Sequence, residues 1–196
     1  MRSAKLPKAG LLLILCGCLS STGVRAQNQA MDSGHSVLKI RVSKSGVFSA
    51  FAHNHEIEAP IAEGSVNLSK TPGVELRVDA RKLRVLDPEV STNDRADIQK
   101  TMDGPQVLDS IRFPEISFRS SAVESKGDER WTVRGNLDLH GKTSPVAVDV
   151  TLKDGHYKGS ARLKQREFGI TPISLAGGTV KVKDEVVMEF DIVLLP

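Results

Sequence analysis

The chain has 196 residues, 39% of them apolar and 26% charged, with a formal net charge of +3; that composition belongs to a globular domain rather than a disordered one. The first 26 residues hold Arg2, Lys5, Lys8, Arg25 and both cysteines, and the remainder carries 23 bases against 24 acids, a net charge of −1. A near-neutral body of this kind argues against nucleic acid as a partner, because phosphate recognition needs clustered Lys and Arg. The rest of the chain is the size of one domain, and no apolar run reaches the roughly 18 to 20 residues that span a bilayer.

Residues 1–26 have three parts: the bases Arg2, Lys5 and Lys8, an apolar stretch from Ala9 to Leu19, and small residues in Val24-Arg25-Ala26. This is the pattern of a secretory signal peptide, cleaved before Gln27, and it predicts a periplasmic or secreted protein. A buried N-terminal helix is the plain structural reading of the same stretch. Leu15-Cys16-Gly17-Cys18 is also similar to a bacterial lipobox, which would leave a lipoprotein anchored through Cys18. Cleavage after Ala26 leaves no cysteine, hence no disulfide and no thiol nucleophile.

Past the leader the dominant period is two. Leu38, Ile40 and Val42 alternate with Lys39 and Arg41; Val74, Leu76 and Val78 alternate with Glu75 and Arg77. The same alternation covers 131–139, 146–153 and 186–194, and it predicts antiparallel sheet with one face inward. Pro72-Gly73, Lys126-Gly127-Asp128, Asp154-Gly155 and Gly177-Gly178 punctuate the runs as turns. Asp154-Gly155 is the clearest hairpin signal. Between Ser91 and Leu108 the alternation stops, and Ser91 or Thr92 caps a short helix of two to three turns in a long connection. One domain, 31–196, is the simplest division, a sandwich or a barrel.

His53-Asn54-His55 is the sharpest local feature. Val47, Ser49, Phe51, His53, His55 and Ile57 share one parity, so both imidazoles belong to the more apolar face of a strand. Three readings compete: structural hydrogen bonding at a rim, contact with the polar end of a ligand, and metal binding, which would need a third ligand from His35, His140, His156 or a carboxylate. His140, in Leu-His-Gly, fixes a turn or lines a site. No nucleophile elbow, phosphate loop or dinucleotide fingerprint is present, which argues against an enzyme. Trp131 and Tyr157, the one Trp and the one Tyr, are few for a carbohydrate-stacking surface.

The ordered set of motifs resembles the YceI-like, polyisoprenoid-binding family of secreted bacterial proteins. The resemblance is carried by Asp32-Ser33-Gly34-His35-Ser36, Ser91-Thr92-Asn93-Asp94-Arg95, Val107-Leu108-Asp109 and Phe113-Pro114-Glu115-Ile116-Ser117-Phe118. It continues through Gly135-Asn136-Leu137-Asp138-Leu139-His140-Gly141-Lys142-Thr143, Phe168-Gly169-Ile170 and Val182-Lys183-Asp184-Glu185. Gln165 stands where that family usually has an Arg, with Arg166 one residue later.

The resemblance implies a lipocalin-like extended antiparallel β-barrel with one short α-helix, and a non-enzymatic protein that binds, shields or carries an isoprenoid-like lipid. The lipid is then a ligand and no other cofactor is expected. Peripheral contact with a membrane and a homodimer are both compatible with this reading. The expected ligand-facing residues are Phe51, His53, His55, Trp131, Leu137, His140, Phe168 and Phe190. A metal-dependent protein or enzyme centred on His53 and His55, and a ligand-free extracellular β interaction module, are the alternatives.

Overall fold

The computed structural model describes residues 28–45, 54–175 and 180–196. Its strands are β1 (Asn28–Ala30), β2 (Val37–Ser45), β3 (His55–Glu58), β4 (Ile61–Asn67), β5 (Gly73–Asp79), β6 (Arg84–Val85), β7 (Glu115–Gly127), β8 (Arg130–Leu139), β9 (Lys142–Lys153), β10 (His156–Lys164), β11 (Ser174–Leu175) and β12 (Val180–Val193), with one α-helix, α1 (Thr92–Asp103), between β6 and β7. Every pairing among the described residues is antiparallel.

Three of the long strands are kinked, and each is broken into two short ones. β1 and β2 both run alongside β12: Met31 bridges Leu194, and Val37 pairs with Asp191. β4 pairs with β1, and β3 with β2, in one continuing ladder. β5 pairs with β4, and β6 with β3. β7, β8, β9, β10 and β12 then follow as a meander back to the start. The Asp32 amide donating to Val193 O at 2.8 Å and the Leu195 amide donating to Ala30 O at 2.8 Å complete the circuit. The architecture is therefore an extended antiparallel barrel of lipocalin type, which buries its hydrogen-bonding edges in one another.

The hairpins follow from turn chemistry. Asp154 and Gly155 have φ of 53° and 80°, and His140 and Gly141 of 53° and 71°. Positive φ at both central residues gives the turn whose twist matches the flanking strands. His140 thus sits in a turn rather than on a strand before one.

Alternation delivers one face to the interior. Leu38, Ile57, Val78, Val133, Leu137, Val148, Leu163, Val186 and Ile192 are buried. Two rings need space made for them. A Cβ on Gly135 would lie 2.6 Å from Phe118 Cζ, and one on Gly159 would lie 2.6 Å from Phe190 Cζ. Each glycine lets a phenylalanine lie flat against the barrel wall.

α1 begins as expected. Ser91 Oγ accepts from the Asp94 amide at 3.2 Å, and Asp94 lies in the first turn where the helix dipole favours an acid. Its apolar side, Ile98 and Met102, packs on the barrel core. Gln99 Oε1 accepts from the Val85 amide and its Nε2 donates to Leu83 O, both at 2.9 Å. That side-chain amide satisfies the exposed edge of β6 as another strand would. The helix and the segment after it lie across one end of the barrel, burying Met102 and Leu108 there.

Candidate functional site

The barrel interior is not filled. A cavity of about 320 Å³ runs along it, within the roughly 300–1,000 Å³ usual for small-molecule sites. Its wall at mid-barrel comes from Ile40, Leu76, Phe118, Leu137, Val148, Met188 and Phe190. At the helix end Leu83, Met102, Leu108 and Ile170 line it, all of them buried. At the opposite end the wall is Asn67, Leu68, Pro72, Val123, Trp131 and Tyr157. Leu68 there is 45% exposed, so among the described residues the cavity has a mouth at this end. Trp131 and Tyr157 meet just inside it, ring centroids 6.2 Å apart.

Polar side chains on the wall are few: Asn67, Ser117 and Gln165, with the polar tips of Trp131 and Tyr157. Asn67 and Gln165 are already engaged, Asn67 Oδ1 by the Ser69 amide and Gln165 Nε2 by Lys183 O. Such a tunnel recognises its contents by excluding water from apolar surface, with little directional bonding.

Trp131, Leu137 and Phe190 lie on the cavity wall. His55, His140 and Phe168 are not part of that wall. Phe168 falls in a 3-10 turn spanning Gln165–Phe168, where strand parity no longer applies, and its ring is fully buried in the core cluster at the helix end. Its carbonyl accepts from His140 Nδ1 at 3.1 Å, and the imidazole meets the Phe113 ring edge-on at 4.7 Å. His140 therefore ties a hairpin turn to the segment after β10. Phe51 and His53 lie outside the described residues.

His55 keeps inward parity at the start of β3. Its ladder partner Val42 lines the cavity. Its Nδ1 is 2.6 Å from Asp87 Oδ2, and Asp87 is buried, with Oδ1 accepting from the Glu56 amide at 2.8 Å. A carboxylate that holds Nδ1 fixes the ring and leaves Nε2 for a further partner. Asp87 is the residue the sequence reading passed over. Leu83, Val85 and Asp87 share one parity, and an acid in an otherwise inward set was the available signal. Among the described residues no three His, Cys, Asp or Glu side chains gather where they could hold a metal ion.

Two further histidines pair with acids on the outside of the mouth end. His35 Nδ1 lies 2.7 Å from Asp32 Oδ2, and that hydrogen bond draws the Asp32 pKa below its ordinary value. His156 Nδ1 lies 2.6 Å from Asp191 Oδ1, with Lys158 Nζ 3.0 Å from the other oxygen. Burial pushes the Asp191 carboxyl up, and the hydrogen bonds from His156 and Lys158 outweigh it, so its pKa falls.

An antiparallel barrel around a continuous apolar cavity defines the class: a lipocalin-like internal-cavity protein. Within that class the chain belongs to the YceI-like family, whose domain model matches residues 30–194. It is 35% identical over 85 residues to a UPF0312 protein of Pseudomonas savastanoi pv. phaseolicola, a match covering 38% of this chain and 44% of the relative. It is 30% identical over 92 residues to Protein YceI of Salmonella arizonae, covering 42% and 47%. The chain thus spans about half the length of the curated relatives it matches. BcnA of Burkholderia cenocepacia shares the fold with a TM-score of 0.63 at 18% identity, over 83% of this chain and 98% of that one. A polyisoprenoid binding domain from Saccharophagus degradans, implicated in plant cell wall breakdown, gives 0.52 at 13% identity, over 83% and 95%.

Proposed function

We propose that this protein binds and shields an isoprenoid-like lipid, a polyprenyl or quinone chain, in the barrel tunnel outside the cytoplasm, without catalysing a reaction on it. The observation that carries the reading is the tunnel wall, apolar from Leu108 at the helix end to Leu68 at the mouth. Each CH₂ moved from water into such a wall gains about 0.8 kcal/mol. The branched aliphatic and Phe lining suits a methyl-branched chain. The fold shared with a polyisoprenoid binding domain supports this choice of ligand, and the leader-like residues 1–26 support the location.

Organic extraction of freshly purified protein followed by mass spectrometry identifies the lipid. Titration with isoprenoid quinones and polyprenyl alcohols tests the class. At 100 times the dissociation constant a ligand adds about 2.7 kcal/mol of stability. A melting temperature that stays flat through the titration overturns the reading.

A further inference from the structure

We propose that Gln165 selects the head of the bound lipid: the tunnel prefers an isoprenoid whose head donates a hydrogen bond, a prenyl alcohol or hydroquinone, to one whose head only accepts. The site is the tunnel assigned above to an isoprenoid-like lipid, and the choice of head rests on that assignment.

Gln165 ends an inward stripe. Ala161 and Leu163 on β10 are buried, and Leu163 lines the tunnel. Residues two apart on a strand share a face, and Gln165 carries that parity on to the wall as the first residue of the 3-10 turn. Its backbone is tied on both sides. Its carbonyl accepts from the Ile170 amide at 3.1 Å, and the Arg166 amide donates to Asp184 Oδ1 at 3.0 Å. Ile170 is itself buried and part of the tunnel wall.

The side-chain amide has one orientation. Nε2 donates to Lys183 O at 2.8 Å, and a carbonyl only accepts, so the nitrogen must face it. Lys183 itself lies in the register shift of β12 between Val182 and Val186. What Gln165 has left is Oε1, an acceptor to which no described residue donates. An acceptor on an apolar wall calls for a donor in the ligand, because a polar group buried without a partner is costly.

The other polar groups of the wall do not duplicate it. Asn67 Oδ1 already accepts from the Ser69 amide. Ser117 alternates with Ile116 and Phe118, the partners of Val78 and Leu76, so its hydroxyl belongs to the outer face. Trp131 and Tyr157 stand at the mouth. Among the described residues no charged side chain lines the tunnel. The cations next to Gln165 in sequence, Lys164 and Arg166, are exposed and stand outside the wall, so an anionic head finds no counter-charge inside.

The test uses three ligands that differ only at the head: farnesol, farnesyl methyl ether and farnesyl phosphate. Each is titrated into the full chain as the cell processes it, and dissociation constants are measured by calorimetry. Farnesol should bind about two- to tenfold tighter than the ether, the worth of one neutral hydrogen bond. In Gln165→Leu the order should reverse, because the hydroxyl then enters an apolar site unpaired while the ether brings no proton to satisfy. An unchanged ether affinity in Gln165→Leu shows that the tunnel is intact, and the comparison in the parent stands without the variant. Farnesol bound no tighter than the ether by the parent, an unreversed order in Gln165→Leu, or farnesyl phosphate bound tighter than farnesol overturns the role of Gln165.

The lipid-binding function fails differently. Three flat titrations of the parent overturn that function and the choice of head with it. Alcohol and ether bound alike leave the function standing and overturn the choice of head alone.

Discussion

His55 Nδ1 and Asp87 Oδ2 are 2.6 Å apart, and the same buried carboxylate accepts the Glu56 amide. One side chain therefore orders the start of β3 twice, through its backbone and through its imidazole. Asp87→Ala leaves that amide without its acceptor. The expected cost is about 1–3 kcal/mol. It is read as a lower urea midpoint at unchanged slope, with Asp87→Asn losing less because it keeps an acceptor oxygen. A midpoint equal to that of the parent would show that Asp87 does not hold β3.

The same pair sets a ligand prediction. With Nδ1 held, Nε2 is the ring nitrogen left to a polar head that reaches past the wall residue Val42, the ladder partner of His55. His55→Ala should weaken a prenyl quinone about two- to tenfold, the worth of one neutral hydrogen bond. A pure prenyl hydrocarbon should bind almost as before. Equal losses for both ligands, measured by calorimetry, would assign His55 a structural role alone.

Gly159 lies beneath the Phe190 ring, and a Cβ there would also stand 2.4 Å from Asp149 O. Backbone cannot give way as a flexible side chain can. Gly159→Ala should cost about 1–3 kcal/mol as an overpacking change. Gly155→Ala, where no atom lies within 4 Å but φ is +80°, is the comparison: its penalty is conformational and leaves the Phe190 ring in place. Thermal melts rank the two, and near-ultraviolet dichroism shows which one disturbs the aromatic core.

The barrel was legible in the sequence because period-two alternation runs through β2, β5, β8, β9 and β12 and because Asp154-Gly155 marks its turn; β7, with register shifts at Ser120/Ala122 and Ser125/Gly127, shows no such run. The helix was legible from its Ser91 cap. Barrel rather than sandwich came from the family resemblance, since closure depends on Met31 meeting Leu194, 163 residues apart, and no local pattern records that. Trp131, Leu137 and Phe190 could be placed on the tunnel wall by parity. His140 and Phe168 could not, because each sits in a turn where parity has no meaning. The plug at the helix end, Leu83, Met102 and Leu108, is contributed by irregular or helical segments and was invisible to an argument built on strands.

Asp79 accepts from Arg81 at Nε and Nη2, each at 2.8 Å, and those hydrogen bonds hold its carboxyl at about 2. A depressed acid contributes stability above its unfolded pKa of 3.8 and loses it as pH falls through the folded value. Acid destabilisation should therefore extend between about pH 4 and pH 2. Asp79→Asn should flatten that part of the profile. Arg81→Ala should move the Asp79 carboxyl resonance, followed by NMR, towards an ordinary titration. An unmoved midpoint would mean that the pair does not persist in solution.

Met188 and Val187 are neighbours on β12 that face opposite ways: Met188 lines the tunnel and pairs with Ile40, while Val187 pairs with Arg41 on the outer face. A tryptophan in place of the flexible Met188 fills part of the cavity from within. The fold should survive, because the side chain enters existing space; overpacking strain is about 1–3 kcal/mol where the space is short. Ligand capacity should not survive. In Met188→Trp the thermal shift produced by a saturating isoprenoid quinone should shrink or vanish, while Val187→Trp keeps it. The pair separates loss of tunnel volume from the mere addition of an indole to β12. A full shift in Met188→Trp would place the bound lipid somewhere other than the tunnel.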